Sequence, residues 1–350
     1  MQATVTHILP VTHVKRTRLL PASGRVLVRT GQKVSATDVL AEVSYQSPHV
    51  LVDIRKGLGL GRQDSLEGVM QHAEGDVLAK GDIIAQQKGL LTRTVRAPID
   101  GRIAAVIGGR VLMEVDTKPY QLLAGIAGVV TELVPDRGAV IEANGGLVQG
   151  VWGNGRAAQG VLISLLKNPN EELTSAMLDV SMRGAIVIAG SCSSADTLKI
   201  AIELPLRGLI LSSMTADLIP VALEANIPIV LIEGFGHLPM NSAAFKLLTT
   251  NEKRDVCLNA TPWNPYSGDR PEVFIPLPVE AQEPAEIVEY RTGQSVRIHG
   301  APLTSQIGEI IRVRPEGATL PTGLIAPAAD VRLGNQEAVL LPLANLDVLE

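Results

Sequence analysis

The spacing of hydrophobic and polar positions changes twice along the chain. In residues 1–150, short aliphatic stretches entered through Gly or Pro alternate with turns, which is typical of strands. Residues 151–282 alternate unbroken apolar runs with segments whose apolar residues lie three or four apart. Residues 283–350 return to short aliphatic runs separated by Gly or Pro. The pattern predicts three domains with these boundaries, of mixed α/β class overall.

The middle region is predicted to alternate strands with helices. Unbroken apolar runs predict strands covered on both faces, and helical spacing predicts the segments between them. Such alternation implies right-handed crossovers onto a parallel sheet, so we predict a three-layer Rossmann-like α/β domain. The predicted strands are 161–166, 184–190, 208–211, 227–232, 255–258 and 272–275, and the predicted helices are 171–182, 195–203, 216–225 and 241–250.

Three loops are expected at one rim of this sheet, because ligands bind beyond the carboxyl ends of parallel strands. They are residues 190–196, 212–215 and 234–240. The first loop places serines ahead of a helix, where hydroxyls and free amides can hold an anion or simply cap the helix. We expect a crevice for a small anionic ligand, lined by Ser191, Ser193, Ser194, Ser212, Glu233, Gly234, Gly236 and His237.

Two side chains of these loops raise the question of catalysis. His237 with Glu233 can be interpreted as an acid–base pair, and Cys192 as a nucleophile if the helix N-terminus lowered its pKa. A lone histidine is more often structural, and no second histidine is placed to activate the thiol. We therefore assign no catalytic residue. The six histidines show no metal-ligand spacing, so neither a metal nor another cofactor is expected.

Composition and charge narrow the class of protein. Aromatic residues make up 3% of the 350 residues, so Val, Ile, Leu and Ala must build the cores. Residues 1–150, 151–290 and 291–350 carry 17, 9 and 5 Lys and Arg against 14, 16 and 6 Asp and Glu. No segment has the basic excess that nucleic-acid binding needs. Without a signal peptide or a membrane-spanning apolar run, we expect a cytoplasmic protein that does not insert into membranes.

The front region contains two Gly-Asp half-motifs, EGDVLAKGDIIA at 74–85, followed by Ala97, Pro98 and Gly101. This arrangement resembles the barrel-sandwich hybrid of biotinyl and lipoyl domains, over roughly residues 18–145. The resemblance implies a β-sandwich and, in carriers, a modified lysine on a tight hairpin. Lys88 lies nearest to that place, but its neighbours match neither carrier context, so we interpret it as a solvated loop lysine. The Gly-rich segment 56–61 is predicted to be a flexible connector.

The last 60 residues contain two blocks of short aliphatic runs and Gly turns, 293–313 and 330–350. They resemble the KOW/SH3-like barrel of ribosomal proteins and transcription elongation factors, on the residues Val296, Gly300, Gly308, Ile310, Leu343 and Leu346. The resemblance implies a small barrel that contacts RNA, ribosome or polymerase. Residues 291–350 contain no Phe, Tyr or Trp, so base stacking is missing and a protein partner is favoured.

Three functions stay open at this point. The first is a non-catalytic adaptor or assembly protein whose α/β region binds a small anionic ligand. The second is an enzyme or ligand-gated regulator that uses the α/β crevice, and the third is a ribosome- or RNA-associated factor acting through the terminal barrel. A thermal-shift screen with anions would favour a ligand-binding function, and co-purified nucleic acid would favour the third.

Overall fold

The chain divides into two compact units. The larger unit comprises Met1–Leu19, Val26–Ala41 and Leu122–Glu350, and the smaller comprises Leu20–Arg25 and Glu42–Gln121. The structure is a computed structural model. It describes residues 2–44, 49–61, 63–66, 68–89, 92–115, 119–264, 267–284, 287–299, 302–303, 306–334 and 336–349.

Strands dominate both units. In the first half of the described chain they are β1 (Gln2–Thr6), β2 (Ile8–Leu19), β3 (Arg25–Val26), β4 (Lys33–Val34), β5 (Val39–Val43), β6 (His49–Asp53), β7 (Val77–Leu78), β8 (Ile83–Gln87), β9 (Arg93–Arg96), β10 (Gly101–Ile107), β11 (Arg110–Val115), β12 (Tyr120–Leu123), β13 (Gly128–Val134) and β14 (Gly138–Gln149). In the second half they are β15 (Trp152–Gly153), β16 (Ala157–Ser164), β17 (Ala185–Ala189), β18 (Gly208–Met214), β19 (Ile229–Phe235), β20 (Asp255–Asn259), β21 (Glu272–Pro276), β22 (Ile287–Glu289), β23 (Ser295–Ile298), β24 (Ile307–Thr319), β25 (Ile325–Arg332), β26 (Val339–Pro342) and β27 (Leu346–Leu349).

Helices are short. Among the described residues the α-helices are α1 (Ile54–Leu58), α2 (Ala195–Glu203), α3 (Ile219–Glu224) and α4 (Ser242–Thr250), and single 3₁₀ turns cover Ser175–Met177, Val180–Met182, Ala216–Leu218 and Leu343–Asn345.

An eleven-stranded sheet forms the frame of the larger unit. Its order is β15-β19-β18-β17-β16-β20-β21-β14-β13-β4. The eleventh strand, β2, lies outside this order and pairs with β14. Strands β16 to β19 run parallel to one another, whereas β20, β21, β14 and β2 each pair antiparallel with their neighbours. The pairing of β2 with β14 extends from Leu19 opposite Gly138 to Ile8 opposite Val148. This long pair carries the basic residues Lys15, Arg16 and Arg18 of the site described below.

The predicted fold class, a mixed α/β protein with a three-layer Rossmann-like middle domain, is wrong. Strands account for 47% of the structure and helical residues for 13%. The four parallel strands do not form a sheet of their own, because β16 also pairs antiparallel with β20, and pairing continues through β21 to β14. The predicted strands 255–258 and 272–275 are present but antiparallel. The prediction used only the alternation of strands and helices between neighbouring segments. It therefore missed that antiparallel strands from other parts of the chain extend the same sheet.

Both faces of the parallel strands are buried. Residues alternate between the faces along each strand, so that Ile186 and Ile188 pack with α4, while Val187 and Ala189 pack with α2 and α3. The sequence predicted α2 with its observed bounds, and Ser194 caps this helix by accepting from the amide of Thr197. The predicted helix 171–182 is wrong. Its place is taken by the two 3₁₀ turns at 175–177 and 180–182.

The smaller unit contains a four-stranded antiparallel sheet, in the order β6-β11-β10-β7, and the two-stranded pair β8–β9. Its core is aliphatic and includes Ile84, Ile103 and Met113. The predicted flexible connector at 56–61 is wrong, because its first three residues belong to α1. Asp53 caps α1 by accepting from the amide of Lys56, and Gly59 ends it with a φ of 72°. Lys88 is exposed after β8.

The C-terminal region forms a seven-stranded sheet with three unpredicted members, β22, β1 and β27. Its order is β22-β1-β27-β23-β24-β25-β26, so the first strand of the chain pairs with the last. The four strands predicted from the sequence are present as β23, β24, β25 and β26. A core of Val296, Ile310, Val331 and Val348 lies beneath them. Within the described ranges, no helix is both long and apolar enough to span a bilayer.

Candidate ligand-binding site

The three predicted crevice loops do lie side by side. The amide of Ser212 donates to the carbonyl of Gly190 over 3.2 Å, and that of Cys192 donates to Ser213 over 3.0 Å. The amide of Gly236 in turn donates to Met214 over 2.9 Å. These bonds follow from the parallel register of β17, β18 and β19, whose carboxyl ends share one edge. The sequence therefore predicted the neighbours at this edge correctly.

Three serines of this edge are engaged within the protein. Ser194 caps α2, Ser193 donates to the carboxylate of Glu172, and Ser191 exchanges backbone bonds with the segment 171–173. Ser212 is fully buried on β18, and its Oγ has no hydrogen-bond partner among the described residues. The capping interpretation accounts for Ser194, so the loop does not present a row of free hydroxyls.

Glu233 is held by a charged residue that the sequence analysis missed. Its Oε1 accepts from the backbone amide of Asn241 over 2.8 Å and from Nδ2 of Asn241 over 2.6 Å. Nη2 of Arg297, on β23, lies 3.1 Å from Oε2, and both side chains are 1% exposed. The C-terminal region thus inserts a guanidinium group at the rim where we expected a ligand. In the sequence, a single arginine among the apolar residues of β23 was the feature that could have indicated a buried ion pair.

The remaining predicted residues also have structural explanations. His237 is exposed, whereas Glu233 is buried and already paired with a cation. Gly234 and Gly236 adopt φ angles of 118° and 112°, which favour glycine for backbone reasons alone. Burial raises the pKa of the Cys192 thiol, which opposes a nucleophilic role. None of the eight predicted residues lines the pocket described next.

A cavity of about 480 Å³ lies elsewhere in the larger unit, against β2. Its walls come from β1 and its junction with β2, from β2 itself, from the ends of β14 and β20, and from residues 263, 267–270, 272 and 283–284. Ligand pockets commonly measure roughly 300–1,000 Å³. The lining residues are Val5, His7, His13, Lys15, Arg16, Thr17, Arg18, Gln149, Asn259, Trp263, Ser267, Gly268, Asp269, Arg270, Glu272, Glu283 and Pro284.

Four cationic side chains line this pocket, and three of them face carboxylates. Lys15 lies 3.5 Å from Glu142, Arg16 lies 2.8 Å from the buried Glu272, and Arg270 lies 3.8 Å from Asp347.

Arg18 differs from these three cations. It is half-buried, and its Nε donates to the carbonyl of Leu123 over 3.4 Å. Among the residues that the structure describes, no carboxylate forms an ion pair with it. A half-buried guanidinium without a counter-charge favours the binding of an anion, because its charge is only partly screened by water.

His7 lines the same pocket with a buried ring nitrogen. The residue is 5% exposed, and its backbone is fixed by two hydrogen bonds with Gln149. Its Nδ1 has no hydrogen-bond partner in the described part of the protein. Burial, followed by the positive charges of Arg16 and Arg270, lowers the pKa of His7 from 6.5 to about 4. The imidazole is therefore neutral at pH 7.

The segment that follows β20 supplies an aromatic side chain to the rim. Trp263 is 54% exposed, and the guanidinium carbon of Arg270 lies 6.0 Å from the centroid of its ring. The same guanidinium group is anchored by Thr6, to whose Oγ1 its Nη1 donates over 2.9 Å. The pocket therefore combines an exposed ring with positively charged groups.

The arrangement fits an organic or inorganic anion better than a metal ion. Nowhere in the described ranges do three or more His, Cys, Asp or Glu side chains form a group suited to a metal. The guanidinium groups instead present hydrogen-bond donors and positive charge. No protein-family model matches this chain, and no curated protein sequence is significantly similar to it.

Proposed function

We propose that this protein binds a small anionic molecule, and that the basic pocket beside β2 is the binding site. The observation that carries the proposal is Arg18, a half-buried cation at the pocket without a carboxylate partner among the described residues. A carboxylate or phosphate there would supply the missing counter-charge. Charge-assisted hydrogen bonds of this kind contribute about 1.5–3 kcal/mol each.

A further lining residue supports the same ligand chemistry. Arg270 is held in place by Thr6 and lies 3.8 Å from Asp347, so its fork is oriented before any ligand arrives. His7 lines the same pocket, but its Nδ1 is buried, so it is not proposed as a contact for the ligand.

We propose binding without turnover, as in the adaptor hypothesis. A general base works best when its pKa lies near the working pH. The pKa of His7, at about 4, makes this imidazole a poor proton acceptor at neutral pH. The ligand would then act by stabilising the larger unit, through mass action.

Isothermal titration of the full-length protein with inorganic phosphate, pyrophosphate and citrate tests the proposal. At least one anion should bind and raise the melting temperature. Arg18→Gln should weaken its binding by more than about tenfold, since one charge-assisted bond is lost. Arg29→Gln is the matched control, because Arg29 is exposed in the same unit and does not line the pocket. Failure of every anion to bind, or equal affinity in the Arg18 variant, contradicts the proposal.

A further inference from the structure

We propose that the anion bound in this pocket is a nucleotide, whose phosphate contacts Arg18 and Arg270 and whose base stacks on Trp263. The inference rests on the proposed anion-binding function and adds the chemical class of the ligand. Its basis is the juxtaposition of an exposed ring, cations and carboxylates around one cavity.

Trp263 is the residue that distinguishes a nucleotide from a simple anion. The chain contains two tryptophans, and Trp152 is half-buried with its ring centroid 6.0 Å from that of Phe235. Trp263, by contrast, keeps 54% of its surface exposed at the rim of a pocket. Planar bases stack on exposed aromatic rings, and this contact tolerates any base because every base has a π-face.

Arg270 places the ring and the charge next to each other. Its guanidinium carbon lies 6.0 Å from the centroid of the Trp263 ring, while the same side chain lines the cavity. A ligand that contacts both residues must therefore carry a planar group within a few ångströms of an anionic group. Nucleotides have this composition, with a sugar between the base and the phosphate.

Backbone hydrogen bonds fix the residue that follows Trp263. The amide of Asn264 donates to the carbonyl of Asp269 over 2.8 Å, and the carbonyl of Asn264 accepts from the amide of Gly268 over 2.9 Å. A backbone held in this way loses less conformational entropy on binding.

The pocket also contains acceptors that an inorganic phosphate would not use. Asp269 and Glu283 line it, and Asp269 accepts from the hydroxyl of Ser267 over 2.6 Å. An ionised carboxylate has about four acceptor positions, so Asp269 can accept further hydrogen bonds. Sugar hydroxyls and the amino groups of bases are suitable donors.

The decisive experiment compares three ligands on the full-length protein by isothermal titration: AMP, ribose 5-phosphate and inorganic phosphate. AMP should bind at least about tenfold more tightly than ribose 5-phosphate, because only AMP has a base. Trp263→Ala should reduce the affinity for AMP to that for ribose 5-phosphate and leave the affinity for ribose 5-phosphate unchanged. Trp263→Phe, which keeps an aromatic ring, should restore most of the difference.

Tryptophan fluorescence gives an independent readout. AMP should quench the emission of Trp152→Phe, in which Trp263 is the remaining tryptophan, and should leave the emission of Trp263→Phe unchanged. Equal binding of AMP and ribose 5-phosphate, with no effect of Trp263→Ala, overturns the nucleotide inference while the anion-binding function stands. Absence of binding by all three ligands overturns the nucleotide inference, and the anion-binding function is overturned with it if pyrophosphate and citrate also fail to bind.

Discussion

His7 illustrates how burial at the scale of a single residue sets a chemical property. His7 is 5% exposed, and burial together with the charges of Arg16 and Arg270 lowers its pKa from 6.5 to about 4. Protonation of the ring in the folded protein would add a further positive charge to the cations of the site. In the unfolded chain His7 is neither buried nor held near these charges, so it binds a proton more readily than in the folded chain.

Stability should consequently depend on pH through His7. A lowered pKa means that the folded state binds fewer protons between pH 6.5 and pH 4. The free energy of unfolding should therefore be unaffected by His7 above about pH 6.5 and fall as the pH decreases, by on the order of 3 kcal/mol in total near pH 4. Urea unfolding curves measured from pH 4 to pH 7.5 test this.

The comparison of variants isolates this histidine from the other groups that titrate in the same range. In His7→Gln the fall in stability between pH 6.5 and pH 4 should be smaller than in the wild type. His237→Gln, which changes an exposed histidine, should keep the wild-type slope. Parallel pH profiles for the wild type and His7→Gln would contradict the assignment.

At the scale of elements, the ion pair of Glu233 and Arg297 links the end of β19 to β23. Asn241, which caps α4 through the amide of Ala244, also donates to Glu233, so three elements share one buried carboxylate. Arg297→Met should destabilise the larger unit by about 3–5 kcal/mol, because it leaves a buried carboxylate without its counter-charge. Chemical denaturation with tryptophan emission as the signal measures this loss.

The double variant decides whether the loss comes from the unpaired charge. Glu233→Gln combined with Arg297→Met should recover most of the stability lost in Arg297→Met, since no charge stays buried. Losses that simply add in the double variant would show that the two side chains act independently. The cap of α4 should be preserved in Glu233→Gln. Oδ1 of Asn241 still accepts from the amide of Ala244, and the side-chain oxygen of Gln can still accept from Asn241.

The elements also show which local patterns could be predicted. The helix α2 was predicted with its observed bounds, because its cap at Ser194 and its apolar spacing lie within ten residues. The segment 171–182 has similar spacing but forms 3₁₀ turns. Its start is bonded across to the next strand instead, through the amide of Leu173 to the carbonyl of Ser191. A tertiary hydrogen bond of this kind leaves no trace in local spacing.

For the whole molecule, long-range pairing separates what the sequence could predict from what it could not. The loops beside β17, β18 and β19 were placed together correctly, because parallel pairing follows from consecutive segments. The basic pocket combines His7, Arg18, Gln149 and Trp263, which are far apart in the sequence. The basic run 15–18 was visible in the sequence, but it could not be interpreted as part of a binding site without the pairing of β2 with β14. Local reasoning also could not show that Arg297 fills the predicted crevice.

The division into two units leads to a prediction about the whole chain. Every residue that lines the pocket belongs to the larger unit. The chain also leaves and re-enters that unit at neighbouring points, since the amides of Ala124 and Gly125 donate to the carbonyls of Asp38 and Ala36 over 2.9 and 2.8 Å. Segments with adjacent ends tolerate excision and insertion. The larger unit should therefore fold without residues 42–121.

The corresponding variant joins Ala41 to Leu122 through about six Gly and Ser residues. It also carries Leu20→Ser, because the buried Leu20 belongs to the smaller unit. The shortened protein should melt cooperatively by circular dichroism, and it should bind the anion identified for the full-length chain with an affinity that is unchanged within about a factor of three. Introducing Arg18→Gln into it should abolish most of that binding. A shortened protein that folds but no longer binds would mean that the pocket depends on the smaller unit.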